Sequence, residues 1–170
     1  MNIAIILINK SNELAIDLNI KTQYGWTAFQ LACSEGHSEI AELIMKNAAS
    51  MNIELNSKTD YGPNAFHIAC IEGQSEVAEI IMKNAAKIDL NMKDNRGNTA
   101  FHLACSWTYS RTIELGKIKI VDMMIEQSVS LELDLKVKNN ENKTGYQLAK
   151  EKGRTDIVNL IQAKMRNLAL

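Results

Sequence analysis

Two pairs of potential metal ligands stand at helical spacing in this chain: His67 with Cys70, and His102 with Cys105. Residues three apart on a helix share a face, and two imidazoles with two thiolates would make a tetrahedral zinc set. The phrase around each pair recurs, however, and Gln30 and Gln147 fill the His slot in two other copies. Gln is a poor metal ligand that can make the same hydrogen bonds, so the imidazoles are expected to hold structure and bind no metal. Cys33 occupies the slot of Cys70 and Cys105. Packed helices lie about 8–10 Å apart, whereas a disulfide needs Cα atoms within about 7 Å. Thiols in equivalent slots of stacked units are therefore expected to be buried and unpaired. Glu39, Glu42, Glu76 and Glu79 also recur together, at a helix start where acidic residues suit the dipole. They read as a solvated face. The glycines mark turns and helix stops and show no phosphate-loop pattern. No catalytic residue and no cofactor are expected.

The elements that position these residues come from an internal repeat. Thr27-Ala28-Phe29-Gln30-Leu31-Ala32-Cys33 returns as Asn64–Cys70, as Thr99–Cys105 and, degraded, as Thr144–Lys150. Two residues upstream stand Gly25, Gly62, Gly97 and Asn142, 37, 35 and 45 residues apart. Asn is the next best residue for a left-handed backbone. Gly36, Gly73 and Gly153 follow the phrase, and a Ser/Thr-acid pair then opens an apolar stripe, as in Ser38–Ile44, Ser75–Ile81 and Thr155–Ile161. Each unit reads as turn, short helix, Gly stop and second helix.

This pattern resembles the ankyrin repeat, a turn and two helices carrying Thr-Pro-Leu-His-x-Ala at a period of about 33 residues. The Pro slot holds Ala28, Ala65, Ala100 and Gly145. The resemblance implies an all-α fold, an ankyrin-type solenoid of stacked helix-turn-helix repeats with hairpin-like connecting loops. It also implies that the His slot hydrogen-bonds the turn around the Thr slot, and that His37 is structural. The units are placed at 20–56, 57–91, 92–137 and 138–170, in one array over 1–170. Residues 1–19 read as a partial repeat, because Ile3–Ile8 aligns with Ile40–Met45 at an offset of 37. Ile3, Ile6 and Leu7 are expected to pack on that helix, leaving an uncovered apolar side open to self-association. Extra residues lie after the second helices, in Asn47–Ile53 and Asn84–Ile88, and an insertion near 106–117 falls between the two helices of the third unit.

A net charge of −1 with 23% charged residues of mixed sign leaves no electrostatic footprint for nucleic acid or an anionic membrane. Ile3–Ile8 is too short to span a bilayer and lacks the flanks of a signal peptide. Free Cys favours a reducing compartment, so a cytoplasmic or nuclear protein is expected.

Function then falls to the positions that do not repeat. By the resemblance, the turn residues and first-helix ends line a concave groove where partner proteins are held. Tyr24, Trp26, Tyr61, Arg96 and Trp107 stand there, and these residue types supply many binding hot spots. Trp107 belongs to Ser106–Thr112, an aromatic-rich stretch in a chain with only 5% aromatics. The expected function is a non-enzymatic protein-interaction module. The alternative is a structural fragment of a longer ankyrin-repeat protein whose activity lies in another domain.

Overall fold

The computed structural model describes residues 6–8, 10, 13–14, 16–106, 108 and 110–167, and all regular structure among them is helical. Each unit opens on the same tight turn. Thr22 N donates to Trp26 O at 2.8 Å, and Gly25 N to Thr22 O at 2.9 Å. The same two bonds recur at Thr59–Pro63, Asp94–Asn98 and Asn139–Lys143. The residue in the Gly slot has positive φ: 75° at Gly25, 98° at Gly62, 75° at Gly97 and 60° at Asn142. Backbone geometry is only half of the constraint. A Cβ at Gly25 would lie 2.3 Å from Asp60 Oδ1, and one at Gly97 would lie 2.3 Å from Asn140 Oδ1. Each turn is pressed against its successor. Asn142 belongs to the last described turn, where it is exposed, so its Cβ meets no such neighbour.

The first helices of the units are α1 (Ala28–Ser34), α3 (Ala65–Ile71), α5 (Ala100–Cys105) and α7 (Gly145–Glu151). The second helices are α2 (Ser38–Asn47), α4 (Ser75–Lys83), α6 (Arg111–Glu126) and α8 (Thr155–Asn167). Thr27, Asn64, Thr99 and Thr144 cap the first helices, each in a reciprocal capping box with Gln30, His67, His102 or Gln147. Such a box satisfies two N–H groups that a helix start otherwise leaves unpaired. First helices stack side by side in one layer, second helices in another, and each first helix packs on the second helix of its own unit.

The core runs between the layers. Phe29, Phe66 and Phe101 face Ile44, Ile81, Met124 and Ile161, with Cys33, Cys70 and Cys105 fully buried among them. Fully burying side chains of this size stabilises a fold by about 1.5–3 kcal/mol each. Polar ladders join the units at the turns. Lys21 Nζ donates to Lys58 O at 2.9 Å, Lys58 Nζ to Lys93 O at 2.7 Å, and Lys93 Nζ to Lys138 O at 3.3 Å. Asn19 bonds both Asn52 O and Glu54 N, and Asn91 repeats this with Glu132 O and Asp134 N.

The third unit departs from the others. After α1, α3 and α7, the N–H of His37, Gln74 or Arg154 returns 2.9 Å to the carbonyl of Ala32, Ala69 or Ala149, the closure of a Gly-stopped helix. After α5 the chain leaves in an extended conformation at Ser106, φ −72° and ψ 158°. Residues 111–117 of the inserted stretch are not loop: they form the first turns of α6, which runs for 16 residues. Gly116 lets α6 approach the preceding unit, since a Cβ there would lie 1.8 Å from Gly73 O.

At the N-terminal end residues 6–8 are helical. Ile8 is the buried side chain, and Leu7 is 45% exposed, contrary to the expectation that Leu7 packs on the neighbouring helix. Leu7 aligns with Ile44, which faces the first helix of its own unit, and no first helix precedes Leu7 among the described residues. Ile3 lies outside them. No helix among the described residues is long and apolar enough to cross a membrane.

Candidate functional site

Three of the five expected anchors converge. Tyr24, Trp26 and Tyr61 line a cleft of about 650 Å³ with Thr22, Gln23, Leu31, Ser34 and Glu35. Two successive turns form one wall and α1 the other. The turn sets the aromatics in place: the Thr22 hydroxyl accepts from Tyr24 N at 3.3 Å and from Trp26 N at 3.2 Å, within the closed ring of the Thr22–Trp26 bond. Because Gly25 is packed against Asp60, the next turn holds Tyr61 beside Tyr24. Tyr24 is 60% exposed and Tyr61 75% exposed, whereas Trp26 is half-buried.

Arg96 is exposed at the third turn. Its backbone is fixed by Arg96 N donating to Asp94 Oδ1 and Arg96 O accepting from Asn140 N, but it does not line the cleft. Trp107 lies outside the described residues. Sequence reasoning missed two lining residues, Thr22 and Leu31, and of these Leu31 is the apolar one. It is 43% exposed, while Ile68, in the same slot of the next unit, is buried. An apolar residue in a repeated slot reads as core, so no signal marked it.

The His–Cys pairs are fully committed to structure. His67 Nδ1 accepts from Asn64 N at 3.3 Å and Nε2 stands 3.0 Å from Asn98 O in the next unit. His102 repeats this with Thr99 N at 3.2 Å and Lys143 O at 3.0 Å. At both residues the carbonyl opposite Nε2 calls for a proton on that nitrogen, while Nδ1 also lies 2.6 Å from Asn64 Oδ1 in His67 and 2.9 Å from Thr99 Oγ1 in His102. Gln30 makes the same two bonds, accepting from Thr27 N at 2.9 Å and donating to Ser57 O at 2.7 Å. Burial pulls both His pKa values below the ordinary range, against the pull of the backbone hydrogen bonds. Burial raises all three thiols, Cys70 to about 12, which removes the thiolate a metal or an electrophile needs. Among the described residues no three His, Cys, Asp or Glu side chains gather into a metal-holding group.

Two buried cations have a different task. Lys117 is 2% exposed and Arg154 4% exposed. Lys117 Nζ donates to Leu103 O at 3.1 Å, Ser106 O at 3.4 Å and Ser106 Oγ at 2.9 Å. Arg154 Nη1 donates to Ser106 O at 2.8 Å while its other nitrogens hold Asp156. They satisfy the carbonyl end of α5, which no Gly stop closes. Burial pulls the Lys117 pKa down to about 8.

Residues 47–104 match a family model described as ankyrin repeats in many copies, and residues 24–56 match one described as an ankyrin repeat. A search of curated proteins finds no match to the chain.

Proposed function

The chain belongs to the ankyrin-repeat family, whose members are generally protein–protein interaction modules and generally non-catalytic, and from that premise we propose that it binds a partner protein across the concave face of the array. The observation that carries this is the cleft of Tyr24, Trp26 and Tyr61. It exposes large aromatic surface on a frame held by capping boxes and stacked turns. A rigid frame limits the ordering cost of association, and exposed aromatics beside an exposed Leu are the usual material of hot spots. Arg96, exposed at the third turn, extends the proposed contact surface, and Trp107, outside the described residues, joins the proposal on its sequence position alone.

The test is a random-peptide display selection on the full chain. Binders are then measured on Tyr24→Ala, Trp26→Ala and Tyr61→Ala chains whose folding is checked by circular dichroism. Losses of about thirtyfold or more per anchor support the site, since a hot spot is worth about 2 kcal/mol or more and every 1.4 kcal/mol is tenfold. Binders indifferent to all three place the interaction elsewhere, and outer second-helix residues such as Glu42 and Glu79 are then the next to vary.

The exposed Leu7, Leu14, Ile16 and Ile20 favour a second contact, in which a second copy of the chain covers the N-terminal end. Sedimentation over a range of concentrations tests it, and a monomer throughout rejects it.

A further inference from the structure

We propose that the cleft of Tyr24, Trp26 and Tyr61 receives an arginine side chain of the partner. This rests on the interaction reading above and specifies its chemistry. Leu31 and the three aromatics alone would suit an aliphatic side chain equally well. The deciding residue is Glu35, the one charged side chain among the described residues of the lining. An aliphatic occupant would desolvate that carboxylate and leave it unpaired, which is costly. A guanidinium avoids the penalty: its planar face stacks on aromatic rings while its N–H fork bonds a carboxylate.

The surroundings carry the same sign. The Asp60 carboxylate lies against Gly25, between the two turns that form the cleft wall. The lysines flanking these turns are engaged in the ladder, Lys21 Nζ on Lys58 O and Lys58 Nζ on Lys93 O, and neither lines the cleft. Among the described residues no cation lines the cleft to compete with an incoming one. An acidic occupant would meet the Glu35 carboxylate and be repelled.

The full-length chain carrying Trp107→Phe leaves Trp26 as its sole Trp, because the sequence has two. Its fluorescence is titrated with acetyl-Gly-Ser-Arg-Ser-Gly-amide and with peptides carrying citrulline, Leu or Glu at the central position. Citrulline keeps the shape of arginine and removes the charge. The proposal expects a saturable response to the Arg peptide and binding at least about tenfold weaker for citrulline, the scale of a partly desolvated cation–π contact. Glu35→Gln should weaken the Arg peptide several-fold and strengthen the Leu peptide, which then buries no unpaired carboxylate. If Trp107→Phe does not fold, the Trp26 indole resonance of the wild-type chain, assigned by its loss in Trp26→Phe, gives the same reading. No response to the Arg peptide, or equal binding of the citrulline or Leu peptide, overturns the proposal. Display-selected peptides separate the two readings. Binders that need the three aromatics but lack arginine sink the arginine alone, and binders that ignore the aromatics sink the interaction site itself.

Discussion

Replacing Lys117 with Met is expected to stabilise the protein at neutral pH, although it removes three hydrogen bonds. Lys117 is 2% exposed, and among the described residues its ammonium hydrogen-bonds only neutral acceptors, the Leu103 and Ser106 carbonyls and the Ser106 hydroxyl. Burial lowers its pKa from 10.5 to about 8. At about 1.36 kcal/mol per unit, holding the charged form in the fold costs about 3 kcal/mol. Because the folded value is the lower one, the unfolded chain binds more protons between about pH 8 and 10.5. Stability attributable to this group therefore rises with pH across that window, and below it the whole cost is present. Met keeps the volume and orphans no carbonyl: Leu103 O retains Ser106 N at 3.2 Å and Ser106 Oγ at 2.6 Å, and Ser106 O retains Arg154 Nη1 at 2.8 Å. After the lost charge-assisted bonds are deducted, a net gain of about 1–2 kcal/mol remains. Urea denaturation of both chains near pH 7 and pH 10 measures it, and the gap should narrow at the higher pH. A variant less stable than wild type at pH 7, or a gap that ignores pH, refutes the reasoning.

His67→Gln should change stability by less than about 0.5 kcal/mol, since Gln30 already makes both bonds, whereas His67→Ala should cost about 1–3 kcal/mol by stranding a buried N–H and carbonyl; equal losses in denaturant melts would contradict the assigned role. Burial holds the His67 and His102 pKa values down, so the unfolded chain takes protons first and stability should fall as pH drops below about 6.5. His67→Gln should fall less steeply, and an identical slope would count against the buried neutral imidazole. Thiol reagents should label Cys33, Cys70 and Cys105 slowly in the native state and rapidly in urea; rapid native labelling of all three would contradict their burial. Glu132 has φ 51°, a left-handed conformation that strains a side chain, so Glu132→Gly should gain about 0.5–1 kcal/mol. The Glu132→Ala chain, which keeps the strain, should not, and a matching gain there assigns the effect to something else.

What was legible in the sequence was what recurs. Gly25, Gly62, Gly97 and Asn142 marked the turns because only a few residues tolerate that backbone, and the alternation of His and Gln in one slot exposed its hydrogen-bonding role. Three Cys in one slot likewise announced burial. Single events were not legible. Leu31 and Ile68 are the same kind of residue in the same slot, and only the assembled stack leaves one of them open. The third unit lacks the Gly that closes α1 and α3, which signals a missing helix stop. That Lys117 and Arg154 from two different units would supply it depends on the extended exit of the chain at Ser106, and no local pattern encodes that exit. The continuation of the insertion into α6 was hidden for a related reason: Gly116 looks like a helix breaker until Gly73 is seen beneath it.

The close seating of each turn on the next sets rules for recombining the units. Every internal turn offers its successor a surface without a Cβ and receives an Asp or Asn side chain onto it, as Asp60 meets Gly25 and Asn140 meets Gly97. Excising 57–91 would bring Asn95 onto Gly25 and Lys21 onto Lys93 O, pairings chemically equivalent to those lost. Duplication or loss of such a unit is a small step for this chain. The last turn is different. Transplanted into the interior, Asn142 would drive its Cβ into whatever turn followed. The second unit is thus exchangeable, whereas the 138–170 unit carries a Cβ where the other turns leave room, so a shuffled gene library should return chains in which another unit seldom directly follows a copy of 138–170.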